Sequence, residues 1–303
     1  MILVGGVLLL ALLLPGLPLG EWRAFVLDTA QFAFLISGLA LAWDLLARTG
    51  QLSLAHGAFF GLGAYSAALL APGLGTLPAL LLGGAVAALF SLLLGLSTLR
   101  LQGMYFAIAT LAFSEVIRTL VLKAQFTGGS IGLPVQPAFA GAYPLGGYYL
   151  AVAVLAICAM VSLLLGRSRL HYAMAATRQG EAVARVLGVS VVRVKLLAFM
   201  ISAFLAGLAG GVYAMKTLFL TPYDAFGLGR AVEALVIPIF GGLYTTAGPL
   251  LGGLIVVSLE TWLRLRIGEG YLVVYGLILI LTILFLPKGL MGLLARRKGG
   301  RHA

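Results

Sequence analysis

The sequence predicts an all-α polytopic membrane protein, and composition is the first reason. Hydrophobic residues make up 62% of the 303 residues and charged residues only 10%, whereas a soluble domain is about half apolar and a quarter charged. The second reason is a series of ten apolar blocks, each near the ~20 residues that cross a bilayer as a helix. The third is a basic segment, residues 167–195, with six of the 20 Lys and Arg residues and one acid.

The apolar blocks extend along the whole chain, which we interpret as one transmembrane domain, residues 1–303. The first lacks a basic start and a cleavage site, so it is predicted to stay as a span rather than to act as a signal peptide. The last two before the C-terminal span are short and nearly continuous, so a re-entrant pair over 229–263, leaving eight crossings, is the alternative. The blocks are 2–19, 24–47, 53–71, 78–96, 103–123, 146–166, 195–215, 229–245, 247–263 and 271–286.

The distribution of basic residues predicts the orientation. Short loops rich in Lys and Arg stay on the cytoplasmic side, so segment 167–195 and both termini are expected inside a cell inner membrane. Thirteen Lys and Arg residues then lie inside, six outside and one within a span. The formal charge of +11 is explained by this topology and by anionic lipid, without nucleic acid.

The sequence lacks the residue patterns that nucleotide binding, metal binding and nucleophilic catalysis require. No Gly-Lys dipeptide occurs, so no phosphate-binding loop of the G-x-x-x-x-G-K type is possible. His56, His171 and His302 are widely separated, which leaves a metal site or a Ser/His/Asp arrangement unsupported. Cys158 is the one cysteine and is expected to be a small buried side chain. The sequence therefore predicts no enzyme, no cofactor and no ATP site in this chain.

Glycine is abundant, with 41 residues. Three pairs at four-residue spacing place bare backbone on one helix face, where another helix can approach closely. Packing within the chain is the main interpretation, and a dimer interface or a pore lining is the alternative. The pairs are Gly57 and Gly61, Gly207 and Gly211, Gly248 and Gly252. Gly38, Gly50, Gly57 and Gly61 recur at constant offset as Gly229, Gly241, Gly248 and Gly252, which suggests an internal repeat.

Charged residues within apolar blocks are costly and need partners. Glu115 and Arg118 lie on one helix face, Asp44 precedes Arg48 by one turn, and Glu233 follows Arg230, so three ion pairs are predicted. Asp28 is expected at an interface. For Glu115, a purely structural pair and a position facing a polar path are both open.

Polar residues at a glycine-rich helix start are candidates for a hydrated path. Gln51, Ser53 and His56 follow Gly50, and Thr110 and Glu115 could join them. The alternative is that they satisfy buried backbone groups and pack the bundle.

Within the basic segment, Gly180 and Gly188 bracket a predicted helix of about seven residues. Glu181 suits the positive end of the helix dipole, and Gly188 suits its C-terminal end. The apolar side chains Ala182, Val183, Val186 and Leu187 form one stripe, with Arg178 and Arg185 beside it. So short a helix is marginal in water, so the stripe is expected to be buried against something.

Several segments resemble the permease subunits of branched-chain amino-acid ABC importers. They are Gly50-Gln-Leu-Ser-Leu-Ala-His-Gly-Ala-Phe-Phe-Gly-Leu-Gly-Ala-Tyr65, Leu101 to Glu115, Thr127-Gly-Gly-Ser-Ile-Gly-Leu133, Gly188 to Phe199, Phe240-Gly-Gly-Leu, Gly248-Pro-Leu-Leu-Gly-Gly and Leu286-Pro-Lys-Gly-Leu290. The resemblance covers nearly all of the chain after residue 30, and it is similar to the second of two sister permeases.

The resemblance implies a sister permease, two ATP-binding cassette ATPases and a soluble or lipid-anchored substrate-binding protein. It also implies that residues 167–195 form a coupling loop, whose helix seats Arg178, Glu181, Ala182, Val183, Arg185, Val186, Leu187 and Gly188 on an ATPase. The chain departs from the general importer signature, because Gly188 follows Glu181 by seven residues rather than six. A helix lying on its own subunit or in the lipid interface is the alternative.

The function expected from these features is inward movement of a branched-chain or other hydrophobic amino acid, driven by ATP hydrolysis on the partners. Alternatives are the same architecture moving urea or short amides, and a stand-alone secondary transporter or channel. A membrane scaffold without transport is least favoured.

Overall fold

The computed structural model describes residues 2–18, 20–139, 145–285 and 289–292. The basic C-terminal tail and the Leu286-Pro-Lys motif lie outside these residues. The described chain is helical throughout, apart from one two-stranded antiparallel pairing. The helices are α1 Ile2–Leu13, α2 Arg23–Ala47, α3 His56–Leu74, α4 Thr76–Thr98, α5 Met104–Lys123, α6 Leu145–Leu165, α7 Arg169–Gln179, α8 Glu181–Val186, α9 Val191–Thr217, α10 Pro222–Phe226, α11 Leu228–Gly241, α12 Ala247–Ile267 and α13 Tyr271–Phe285.

Each of the ten predicted apolar blocks contains a helix, and six of these in the described residues are long and apolar enough to cross a membrane. They are α2 to α6 and α9. Among the rest, α1, α11 and α13 are shorter, and α12 carries Glu260, Arg264 and Arg266 in its second half. The fold is therefore an all-α polytopic membrane protein.

Two boundaries differ from the sequence prediction. Helix α9 begins at Val191 rather than at Lys195. Its first turn can include two basic residues because Arg193 is exposed and Lys195 is buried with Glu181 as its partner. Helix α3 begins at His56 rather than at residue 53. The residues before it are tied to other helices by hydrogen bonds from side chains, which compete with a helical backbone.

Helix α9 is at the centre of the bundle and packs against α2, α3, α4 and α6. Small residues make this close packing possible. A methyl group on Gly63 would overlap the backbone of Gly207, and one on Gly210 would overlap Phe60. The six glycines predicted to mediate packing, Gly57, Gly61, Gly207, Gly211, Gly248 and Gly252, all face other segments of the same chain, including Ala231, Phe226, Ala87, Leu80, Gly242 and Ile237 respectively.

The short strands β1 Leu133–Pro134 and β2 Phe219–Leu220 pair at the end of the bundle opposite the basic segment. At the same end, Lys216 forms an ion pair with Asp28 at 2.6 Å, as expected for an interfacial acid. Hydrogen bonds, a ring contact and close backbone packing bring together residues 48–51, 99–101, 162, 178–195 and 244–246. These residues define the basic end of the bundle.

Candidate functional site

The predicted short helix in the basic segment is present as α8, Glu181–Val186, preceded by Gly180. Gly188 has φ of +81°, a left-handed conformation that glycine adopts without the steric penalty of a side chain. Segment 167–195 thus folds as α7, α8 and the first turn of α9, joined by tight turns. The predicted boundaries of α8 are confirmed to within one residue.

The apolar side chains of α8 are uncovered. Val183 is 65% exposed, Val186 87% and Leu187 71%, and Ala182 is exposed beside them. Ala184 is the one fully buried residue of α8. The described residues therefore do not bury this stripe, contrary to the alternative in which α8 lies on its own subunit.

A buried lysine fixes α8 to the transmembrane helices. Glu181 forms ion pairs with Arg185, at 3.0 Å, and with Lys195. The Lys195 side chain is only 3% exposed, and its ammonium donates a hydrogen bond to the Leu99 carbonyl at 3.5 Å. Because Lys195 is on α9 and Leu99 ends α4, these contacts connect α8 to two of the long helices.

Arg178, at the end of α7, forms a second connection. Its guanidinium lies 3.8 Å from the ring centroid of Tyr244, a cation–π stack, and its backbone packs against Gly50. The Tyr244 backbone N–H donates to Asp44 Oδ1 at 2.6 Å. The basic segment is thus joined to the turn between α11 and α12 and to the end of α2.

The predicted Asp44–Arg48 pair is confirmed, with 3.0 Å between the charged groups and both side chains buried. Arg48 also donates to the Ser162 carbonyl at 3.3 Å and to its hydroxyl at 2.7 Å. Ser162 Oγ in turn lies 2.7 Å from the Thr246 hydroxyl. These bonds fasten α2, α6 and the start of α12 to one another.

The break between α2 and α3 is held from three sides. Trp43 Nε1 donates to the Ser53 carbonyl at 2.7 Å, the Leu54 N–H donates to Thr110 Oγ1 at 2.9 Å, and Ser114 Oγ donates to the Leu54 carbonyl at 3.1 Å. Gln51 Nε2 donates to the Leu101 carbonyl at 3.4 Å. Side chains thus replace the helical partners that this backbone lacks.

His56 begins α3 and is fully buried. Its Nε2 lies 3.3 Å from Ser202 Oγ, and its Nδ1 has no hydrogen-bond partner in the described part of the chain. The predicted path residues Gln51, Ser53, His56 and Thr110 are therefore brought together as one buried cluster.

The break lies deep in the bundle. Thr110 and Ser114, which hold Leu54, are about 9 and 15 Å along α5 from its first residue, at a rise of 1.5 Å per residue. Helix α11 also begins inside the bundle, because the backbone around Ala231 packs against Gly57 near the start of α3. Non-helical backbone at this depth is tolerated only inside the protein or beside water.

Glu115 does not join the buried cluster and points from another face of α5. It pairs with Arg118 at 2.6 Å, and the side chains are 45% and 25% exposed respectively. The Arg118 guanidinium lies 5.3 Å from the ring centroid of Tyr223 on α10. The predicted Arg230–Glu233 pair is also confirmed, at 2.8 Å.

At the basic end, a polar cleft of about 250 Å³ lies between the break and α8. Gln51 and Gln102 line it on one side, and Arg178, Glu181 and Lys195 on the other. Residues predicted separately for the path and for the coupling loop therefore share one cleft.

The sequence reasoning missed Tyr244, Ser162 and Lys195 as site residues. Lys195 had a detectable signal, since it follows an exposed basic turn and precedes an uninterrupted apolar run, where a lysine needs a buried partner. Tyr244 contacts Asp44 across 200 residues of sequence, and no local pattern marks such a contact.

Residues 25–284 match the family model of the branched-chain amino acid transport system permease component. The high-affinity branched-chain amino acid transport system permease protein LivM of Salmonella typhimurium is 32% identical, over 87% of this chain and 68% of its own length. LivM of Escherichia coli K12 is 31% identical over the same shares. The autoinducer 2 import system permease protein LsrC of Klebsiella pneumoniae is 35% identical, over 43% of this chain and 38% of its own.

No solved structure matches the chain. The family match covers α2 from residue 25 onward, the other five long apolar helices, the break between α2 and α3, and the basic segment. The chain belongs to the permease-component family of branched-chain amino acid transport systems.

Proposed function

We propose that this chain is one of two sister permeases in an ATP-binding cassette importer that moves branched-chain or similar hydrophobic amino acids into the cell. The names of the two LivM relatives support the substrate class. The observation that carries the proposal is the uncovered apolar face of α8 at the basic end. Two ATPase subunits and a substrate-binding protein complete the assembly.

The proposed topology has ten crossings, with both termini cytoplasmic in the inner membrane. The described helix ends that meet at the basic end include Arg48, Arg100, Arg178 and Lys195, as the positive-inside tendency requires. In this topology, β2, α10 and the short α11 together make one crossing that is broken near its middle. The eight-crossing alternative would require α11 and α12 to return to the same side.

Coupling is proposed to run from α8 into the spans by two routes. One is the Glu181–Lys195–Leu99 connection to α9 and α4. The other is the Arg178–Tyr244–Asp44 connection to α2 and the turn between α11 and α12. Closure of the ATPases is proposed to displace α8 and the adjoining end of α7, and the two connections would pass this movement to the spans.

The buried cluster of Gln51, Ser53, His56 and Thr110 is proposed as the closed gate of the path, and Glu115 as part of the wall of the cavity beyond it. Two positions support this assignment: Thr110 lies about 9 Å along α5, and Gln51 shares the cleft at the basic end with Arg178 and Glu181. In the alternative, the cluster only satisfies buried backbone groups.

The experiment compares the double variant Val183→Asp/Leu187→Asp with the apolar control Val183→Ile/Leu187→Met. A charge in an apolar contact costs about 3 kcal/mol or more, which is over a hundredfold in affinity. The Asp variant is expected to insert and accumulate normally but to lose the ATPase subunits in a pull-down. Full ATPase recovery with normal uptake would show that α8 is not the docking element.

A further inference from the structure

Glu115 presents a carboxylate where the surrounding bilayer cannot solvate it. It lies about 16 Å along α5 from the first residue, close to the middle of a hydrocarbon core of about 30 Å. Its side chain is nevertheless 45% exposed. In the most apolar 18 residues of α5, only 22% of the residues are buried within this chain, a smaller share than in any other of the six long apolar helices.

A lipid-facing position does not fit such a residue. Ionised side chains within the membrane face the bundle interior, a partner or a water-filled cavity, because hydrocarbon leaves them unsolvated. The pairing with Arg118 reduces the charge but leaves polar atoms uncovered on both side chains. This face of α5 therefore lies against water or against another polar protein surface.

Helix α10 extends the same polar surface. Tyr223 is 60% exposed beneath the Arg118 guanidinium, and the exposed Asp224 accepts a hydrogen bond from Thr221 Oγ1 at 2.6 Å. Helix α10 packs on the first half of α3, where Phe226 lies against Gly61. The polar patch therefore belongs to the membrane-spanning part of the bundle and not to an outer loop.

The patch has unused binding capacity. Both Arg118 N–H groups that bond to Glu115 go to the same oxygen, Oε2, at 2.9 and 2.6 Å. The other carboxylate oxygen and the remaining guanidinium hydrogens can receive a ligand's donor and acceptor. On the same face, two turns before Glu115, Ile108 is 57% exposed.

We propose that Glu115 and Arg118, with Tyr223 beside them, form a subsite for a zwitterionic amino acid. Glu115 receives the α-ammonium, Arg118 receives the α-carboxylate, and the aliphatic side chain lies along Ile108. The internal ion pair holds the two groups ready and is exchanged for two pairs with the ligand. This inference rests on the proposed function, which supplies the substrate class.

The test uses the complete importer in proteoliposomes and the neutral variant Glu115→Gln/Arg118→Met. Removing both charges leaves no unpaired ion, and such replacements are often neutral or stabilising when a pair is only structural. Thr119→Ala, on the same exposed side of α5, is the control. The neutral variant is expected to assemble with the ATPase subunits as wild type does and to lose at least tenfold in maximal leucine uptake.

Leucine uptake by the neutral variant within twofold of wild type would overturn the subsite and leave the importer function standing. Absence of leucine uptake in the wild-type complex would instead remove the proposed function and the subsite with it. A second variant, Thr119→Cys with Cys158 replaced, retains the ion pair. Leucine is expected to slow its reaction with a water-soluble thiol reagent at least threefold, and no protection would contradict the subsite.

Discussion

Two ion pairs of the same kind have opposite surroundings. Asp44 and Arg48, one turn apart near the end of α2, are 0% and 3% exposed, and they bond to the backbone or side chains of Tyr244 and Ser162. Glu115 and Arg118, near the middle of α5, are 45% and 25% exposed and bond only to each other among the described hydrogen bonds. The first pair is fully used in fastening helices, whereas the second retains capacity for a ligand.

The largest effect is expected from breaking the buried pair. Asp44→Ala leaves the Arg48 guanidinium buried without its counter-ion, and losing one member of such a pair costs about 3–5 kcal/mol. The variant is expected to accumulate poorly and to melt well below wild type in detergent. Glu115→Ala is the matched variant at the exposed pair, and its melting temperature is expected to change little. Equal destabilisation by the two substitutions would show that both pairs contribute alike to stability, which would contradict the difference drawn between them.

The two ion pairs are also expected to differ in their access to water. Ala40 lies one turn before Asp44 and is fully buried, whereas Ala112 lies one turn before Glu115 and is exposed. With Cys158 replaced, Ala112→Cys is expected to react with a water-soluble thiol reagent in the assembled importer, at least tenfold faster than Ala40→Cys. A lipid-soluble reagent that alone labels Ala112→Cys would place this face of α5 in lipid.

A smaller effect is expected at the stack between Arg178 and Tyr244. A cation over an aromatic ring contributes about 0.5–2 kcal/mol, and Arg178→Gln removes the charge while keeping a polar side chain. Uptake per ATP hydrolysed is expected to fall a few-fold, because one of two proposed routes from α8 is weakened. Arg193→Gln, at the start of α9, is the control. If uptake per ATP hydrolysed is unchanged in Arg178→Gln, the Glu181–Lys195 connection is the only one of the two proposed routes that remains.

Local sequence patterns were sufficient to predict the long helices and three of the ion pairs. Asp44 with Arg48, Glu115 with Arg118, and Arg230 with Glu233 are separated by three or four residues, so helical geometry alone brings them together. The turn glycines Gly180 and Gly188 similarly bracket α8. In each of these cases the interacting residues are close in sequence.

The sequence could not show which pair is buried. The surroundings of Asp44 depend on Tyr244 and Ser162, which come from distant helices. The depth of the break between α2 and α3 likewise depends on Thr110 and Ser114 of α5. Hydropathy marks 53–71 as one apolar block, but it does not show that the residues before His56 are held outside the helix by side chains of α5.

The central claim, that this chain is the passive permease of an ATP-driven importer, is tested by measuring leucine uptake and ATP hydrolysis on the same proteoliposomes. The purified chain is expected neither to bind nor to hydrolyse ATP, and leucine is expected to accumulate only when the ATPases, the sister permease, the substrate-binding protein and ATP are all present. Excess urea is expected not to compete. Uptake by this chain alone, driven by an ion gradient without ATP, would contradict this claim and establish a stand-alone transporter.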